Sequence, residues 1–294
     1  MVHRPPFTMK NLILTIFAVT FASNLFAGEG DFHLDKEYKI NKAGLLDLQT
    51  SDAKVFITGS TRGTAHVKID RTITAKGWTW GSDDFKVDVK EENGNLIVQE
   101  KQKGDHVAAI GYYMEVYRIE IEIPEGVSLK VRGDDGDYYI KNVNGAISLR
   151  MDDADAELAG CKGDRFEFRL DDGDIRMDQG RGSLEIDGDD ADVEIYKANF
   201  TSIRADVDDG DLIIETSLAN NGDYNIASQD GLISLNITGG GGQFEIRHDD
   251  GRIITEGGFK TLEEGEHETH LTLANGSAKV NLKADDARVR LRAQ

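Results

Sequence analysis

The sequence is poor in several residues that stabilise compact folds. It holds one cysteine among 294 residues, three prolines, two tryptophans and 7% aromatics. A lone cysteine, Cys161, excludes an intramolecular disulfide, so stability has to come from packing. No nearby histidine or cluster of bases would activate it, and it reads as a small semi-buried side chain at a turn. Scarce proline beside 32 glycines argues against a proline-rich disordered chain and for short strands joined at Gly and Asp bends. No long stretch repeats apolar residues at i, i+3, i+4 and i+7 between a cap and a glycine stop, so helix is minor at best. Basic residues are outnumbered 34 to 54, for a formal net charge of −20. A field of that sign repels phosphate backbones and argues against a nucleic-acid partner.

The first 27 residues read as an export signal. Met9-Lys10-Asn11 precedes an apolar run over 12–21, and Leu25-Phe26-Ala27-Gly28 offers a cut after Ala27. The run is about half the ~20 residues a membrane span needs. No cysteine stands at the cut, so a lipid anchor is unsupported, and Met9 is an alternative start to Met1. The expected mature protein is exported (periplasmic, cell-surface or extracellular) and is not inserted in a membrane.

From about residue 129 the chain is periodic. Asp-Asp-Gly/Ala-Asp recurs at Asp134-Asp135-Gly136-Asp137, Asp152-Asp153-Ala154-Asp155, Asp171-Asp172-Gly173-Asp174, Asp189-Asp190-Ala191-Asp192 and Asp208-Asp209-Gly210-Asp211. Degenerate copies start at Gln229, Asp249 and Asp285, giving steps of 18, 19, 18, 19, 21, 20 and 36 residues. Around each copy apolar residues alternate with polar ones, as with Phe166, Phe168 and Leu170 before a bend and Ile175 and Met177 after it. Period two means one buried and one wet face. A unit this short cannot close its own core, so the units must stack.

The fold class expected is all-β: a parallel β-solenoid of roughly 18–21-residue repeats, each a strand, a tight acidic bend and a strand, with an irregular β cap at the N-terminus. The expected organisation is signal 1–27, N-terminal β region 28–128 and repeat solenoid 129–294. Strands are expected near 44–48, 54–58, 65–73, 85–89, 95–99 and 117–123. Ser51-Asp52-Ala53-Lys54 resembles a degenerate bend. Gly and Ala alternate through the first five bends, so a coil is either about 18 residues or about 37 with two related corners. The segment 287–292, with Arg288, Arg290 and Arg292 outward, reads as an edge strand blunted by charge.

Ile119-Glu120-Ile121-Glu122-Ile123-Pro124-Glu125-Gly126-Val127, then Leu129-Lys130-Val131 and the first acidic bend, resembles the secreted bacterial "putative adhesin" family, a β-strand-repeat domain of unknown function. The similarity of pattern runs over roughly 35–292. It implies a β-solenoid and a surface or periplasmic location, and it carries over no catalytic residue. Asp-Asp-Gly or Asp-Asp-Ala stands here where the family more often has Ser-Gly, so no role tied to a bend hydroxyl is carried over.

The bends are the obvious candidate site. Stacked carboxylates lie about 4.8 Å apart and repel by somewhat under 1 kcal/mol in water. Oxygen ligands at that spacing suit Ca²⁺. The candidate ligands are Asp134, Asp135, Asp137, Asp152, Asp153, Asp155, Asp171, Asp172, Asp174, Asp189, Asp190, Asp192, Asp208, Asp209 and Asp211. The Gly-Gly-x-Gly-x-Asp signature of Ca²⁺-binding β-rolls is missing, and Asp also serves bends by bonding nearby backbone amides. The Trp78-Thr79-Trp80-Gly81 loop, with Tyr112-Tyr113, offers stacking surfaces for a sugar or partner, or a cover for the open end. His267 and His270, three apart, point to opposite faces of a strand, which argues against a metal pair. Gly239-Gly240-Gly241-Gly242 opens no helix and reads as a turn. The tight spacing leaves no room for loops that build a catalytic groove, and the carboxylates are too uniform to separate an acid from a base. The first reading is therefore a non-enzymatic adhesin or cell-envelope interaction and scaffold module without a cofactor. Its partner would be an envelope or cell-surface protein or a glycan. A structural protein with weak Ca²⁺ binding is second, and a polysaccharide-active β-helix enzyme third.

Overall fold

In a computed structural model of the chain, residues 31–80, 85–101, 108–249, 251–274 and 276–294 are described. The expected signal segment and Gly81 lie outside them. Among the described residues every regular element is a strand, and all eighteen belong to one mixed sheet.

The repeats form a stack of parallel coils. β8 (Ser128–Lys141), β9 (Ile147–Ala159) and β10 (Arg165–Met177) are followed by β11 (Gly180–Ser217), which spans two coils, and β12 (Asp223–Gly239). Registers of Asp135 with Asp153, Asp153 with Asp172, Asp172 with Asp190 and Asp209 with Asp230 settle the coil at one repeat, not two. Each strand also runs through its acidic motif instead of stopping at it. Gly136 stays paired with Ala154 and Gly173 with Ala191, so the chain turns its corner without leaving the ladder. Tyr138 packs back over Gly133, as a corner between them requires.

The Gly/Ala alternation has a local cause. Gly136, Gly173 and Gly210 adopt φ of 119°, 113° and 139°, and each lies over the carbonyl of an Ala bend: Ala53, Ala154 and Ala191. A Cβ at Gly173 would sit 2.5 Å from the Ala154 oxygen. Ala53 is thus the bend beneath the first Asp-Asp-Gly-Asp, and Ser51–Lys54 turns the corner of a true coil.

That coil, β2 (Leu45–Thr50) and β3 (Lys54–Ser60), is parallel to β8 on one side. On the other side it is parallel to β6 (Asn95–Lys101) and β7 (Ala108–Pro124). The first coil in the chain is therefore second in the stack. The C-terminal end mirrors this. β17 (Ala278–Ala284) and β18 (Arg288–Ala293) insert between β12 and the pair β13 (Gly242–His248) and β14 (Ile253–Glu256). The Arg288–Arg292 strand is thus interior and not an edge, and Arg292 pairs with Glu256 on β14 at 2.7 Å. Glycine makes the threading possible: a Cβ on Gly242 would press into the Ala278 backbone.

Antiparallel strands close both ends, which corrects a wholly parallel solenoid to a mixed sheet. β5 (Lys86–Glu92) covers β6, β4 (Ala65–Trp80) covers β7, and β1 (Phe32–Tyr38) covers β4. At the far end β15 (Phe259–Glu264) and β16 (Glu268–Leu273) form a hairpin on β13. The buried side chains merge into one core from Tyr38 to Leu291. Tyr138 sits over the small Ala156 of the next coil. Cys161 is fully buried in this core, where burial pushes its thiol up to about 11 and makes it unreactive.

Candidate functional site

The corner of the stack carries three carboxylate ladders. One holds Asp134, Asp152, Asp171, Asp189 and Asp208, ended by Gln229, whose amide donates to Asp208 at 2.5 Å. The second, Asp135, Asp153, Asp172, Asp190 and Asp209, continues to Asp230. The third, Asp137, Asp155, Asp174, Asp192 and Asp211, is bounded by Lys54, 3.0 Å from Asp137, and by Leu232 and then Arg288. The third ladder serves the backbone, as bend aspartates commonly do. Asp155 accepts the Asp174 amide at 2.9 Å, and Asp192 accepts the Asp211 amide at 2.7 Å. The positive φ at Gly173 and Gly210 precedes those two amides.

The ladders are electrostatically stressed. Burial and neighbouring carboxylates raise the pKa of Asp134 and Asp174 above the usual value, and Asp52, Asp172 and Asp209 shift the same way. A carboxyl with a raised pKa binds more protons folded than unfolded, so its destabilising effect is present at neutral pH and disappears as pH falls through the raised value. Asp88, held far down by Lys101 and Lys86, loses its stabilising effect only at stronger acid. The urea midpoint is therefore expected to rise as pH falls from neutral into the carboxylate range and to fall again in stronger acid. A midpoint that falls steadily from pH 7 would show that the ladders do not govern stability.

A second surface holds the aromatics Tyr112 and Tyr113 singled out in the sequence, on a strand ribbon and not beside a loop. Over residues 72–80 and 108–116, β4 and β7 pair only with each other among the described residues, beyond the reach of β1 and β3. The ribbon is rooted on an edge-to-face cluster of Phe32, Phe85 and Tyr117, with the Arg71 guanidinium 4.1 Å from the Phe85 ring. Tyr112, Met114 and Val116 alternate along one face and are 50%, 44% and 54% exposed. Trp78 and Trp80, expected in a loop, are backbone-paired with Ile110 and Ala108 in this ribbon. Their side-chain placement lies outside the described residues.

Two further features lie on the outward sheet faces. Phe56 and Tyr139 stack at 5.0 Å, with Arg118 over Phe56 and Lys54 over Tyr139. A groove of about 340 Å³ is lined by Arg204, Asp206, Asn225, Glu245, Asn281 and Lys283. It forms because Ala227 separates longer side chains on β11 and β17. Among the described residues no helix is long and apolar enough to cross a membrane.

A family model described as Toastrack DUF4097 matches residues 43–291. A "putative cell adhesion protein" from Clostridium sporogenes aligns at 12% identity over 90% of this chain and 100% of its own, with a TM-score of 0.29. A "putative adhesin" from Bacteroides fragilis gives 12%, 88%, 97% and 0.41, and one from Parabacteroides distasonis 9%, 90%, 99% and 0.40. No curated protein matches the chain.

Proposed function

The chain belongs to the Toastrack DUF4097 family, and on that premise we propose that it is an exported, non-enzymatic, adhesin-like module that binds an envelope component through its surface. The observation that carries this reading is the projecting ribbon. Soluble chains rarely leave a row such as Tyr112, Met114 and Val116 open to water without a use for it. An isolated two-stranded ribbon is marginal in water, and a strand from a partner can add to its edge. Amphipathic Tyr side chains serve protein and glycan contacts alike.

The test is binding of the labelled full chain to cell-envelope preparations and to a glycan array, with reducing-end release followed in parallel. Saturable binding is expected, weakened about tenfold or more by Tyr112→Ser with Val116→Ser. Binding that ignores the double substitution moves the contact off the ribbon. Sustained release of reducing ends would establish an enzyme instead.

The raised carboxyls at the corner favour a second role, uptake of Ca²⁺ by the fifteen aspartates. In that reading Ca²⁺ raises the melting temperature beyond what Mg²⁺ achieves at equal ionic strength. Equal shifts would reduce the effect to charge screening.

A further inference from the structure

The C-terminal cap brings together a donor set distinct from the acidic corner. On β16 the buried Thr269, Leu271 and Leu273 alternate with outward Glu268, His270 and Thr272. On β13 the buried Phe244 and Ile246 alternate with outward Glu245 and Arg247. The antiparallel register sets Glu245 opposite His270 and Arg247 opposite Glu268. One ligand atom each from Glu245, Glu268 and His270 lies within 4.8 Å of the others, and His270 Nε2 is 3.4 Å from Glu268 Oε1.

The other flank of His270 adds a separate observation. Between β15 and β16 the register slips at Thr261/Glu263. In an even ladder Leu262 would face His270. The bulge instead leaves Leu262 66% exposed and puts Glu263 there. Bulges re-aim side chains in this way near functional positions. His270 thus has a glutamate opposite it on each neighbouring strand and a third two residues away. Arg247, bonded to Glu245 and with Nε 3.9 Å from Glu268 Oε1, is the cation within that group.

We infer that His270, Glu245 and Glu268 form a binding site for a divalent ion of the Zn²⁺ class that fastens the capping hairpin to the last coil. An imidazole nitrogen with two carboxylate oxygens is a donor set for such an ion, and Glu263 or water completes four-coordination. Ca²⁺ takes six to eight oxygens and is served better by the aspartate corner. The hairpin has use for a fastening. β16 is held by buried Leu271 and Leu273, but every residue of β15 except Phe259 is exposed, so little apolar burial holds the outer strand down. An ion shared by β13 and β16 bridges the two strands directly. Arg247 competes with it for the same oxygens.

The test is calorimetric titration of the untagged, metal-stripped full chain with Zn²⁺ and separately with Ca²⁺, alongside His270→Gln, Glu245→Gln and Arg247→Thr. These positions face outward, and melting in EDTA checks that each variant stays folded. One saturable Zn²⁺ site is expected, at least about tenfold weaker in His270→Gln and Glu245→Gln and tighter in Arg247→Thr. Ca²⁺ isotherms should not distinguish the four proteins. The site is overturned if Zn²⁺ shows no saturable step, if wild-type and His270→Gln isotherms superimpose, or if Arg247→Thr weakens binding.

Discussion

Truncating Phe166 to alanine should lower stability by about 3–5 kcal/mol, among the largest losses available to a single substitution in this chain. The ring is fully buried, 6.3 Å from Phe168 and 6.1 Å from Phe200. Its backbone is clamped between Ile147 and Leu184 on the two neighbouring coils. Hydrogen-bond ladders on both sides hold the walls at a fixed spacing, so the cavity cannot collapse and most of the packing energy is lost. Phe56→Ala is the control, because that ring stacks on Tyr139 outside the core; about 1 kcal/mol is expected. Urea unfolding followed by circular dichroism, with hydrogen exchange on the central coils, reads both. Near-equal losses would mean that the interior relaxes freely and that the ladders do not set its dimensions.

That rigidity explains which parts of the fold the sequence reveals. Alternation around Phe166, Phe168 and Leu170 identifies a strand with one wet face, and the 18–19-residue step identifies the coil. Neither encodes stacking order. β2/β3 and β17/β18 carry the same alternation as any other coil, and each is threaded inside a segment further from its chain end. Arg288, Arg290 and Arg292 look like an edge because their outward face is charged. Outward side chains are wet on interior and edge strands alike, whereas an edge is defined by unpaired backbone groups, which the side-chain pattern does not record.

The functional surfaces divide in the same way. The aspartate ladders follow from spacing because parallel in-register stacking puts equal positions side by side. Glu245 and His270 meet only through an antiparallel register set by the β15–β16 reversal, and Glu263 joins them only through a bulge. No spacing rule anticipates that meeting. The ribbon was half legible. Tyr112 and Tyr113 stood out as aromatics, but that they lie on a strand reaching beyond β3 depends on where β3 ends.

Replacing Gly210 with alanine should cost about 3 kcal/mol or more, while Ala191→Gly, one coil away at the equivalent position, should cost only about 0.5–1 kcal/mol. The two residues differ by a single methyl group. At Gly210 φ is 139°, and a Cβ would be driven into the Ala191 carbonyl, a backbone atom fixed by its own ladder. At Ala191 the methyl group is buried in the core, and its loss removes one small contact and frees the unfolded chain. The glycine also precedes the Asp211 amide that donates to Asp192, so forcing φ negative turns that amide away and leaves one carboxylate fewer with a partner. Asp192→Ala should reproduce that part of the loss, and Asp192→Asn, which keeps an acceptor and removes a charge, should not. Equal urea midpoints for Gly210→Ala and Ala191→Gly would mean that the alternation is incidental. Unequal midpoints in this order, with Asp192→Asn near wild type, would make the glycine, the alanine and the third ladder of aspartates one corner with a two-coil period.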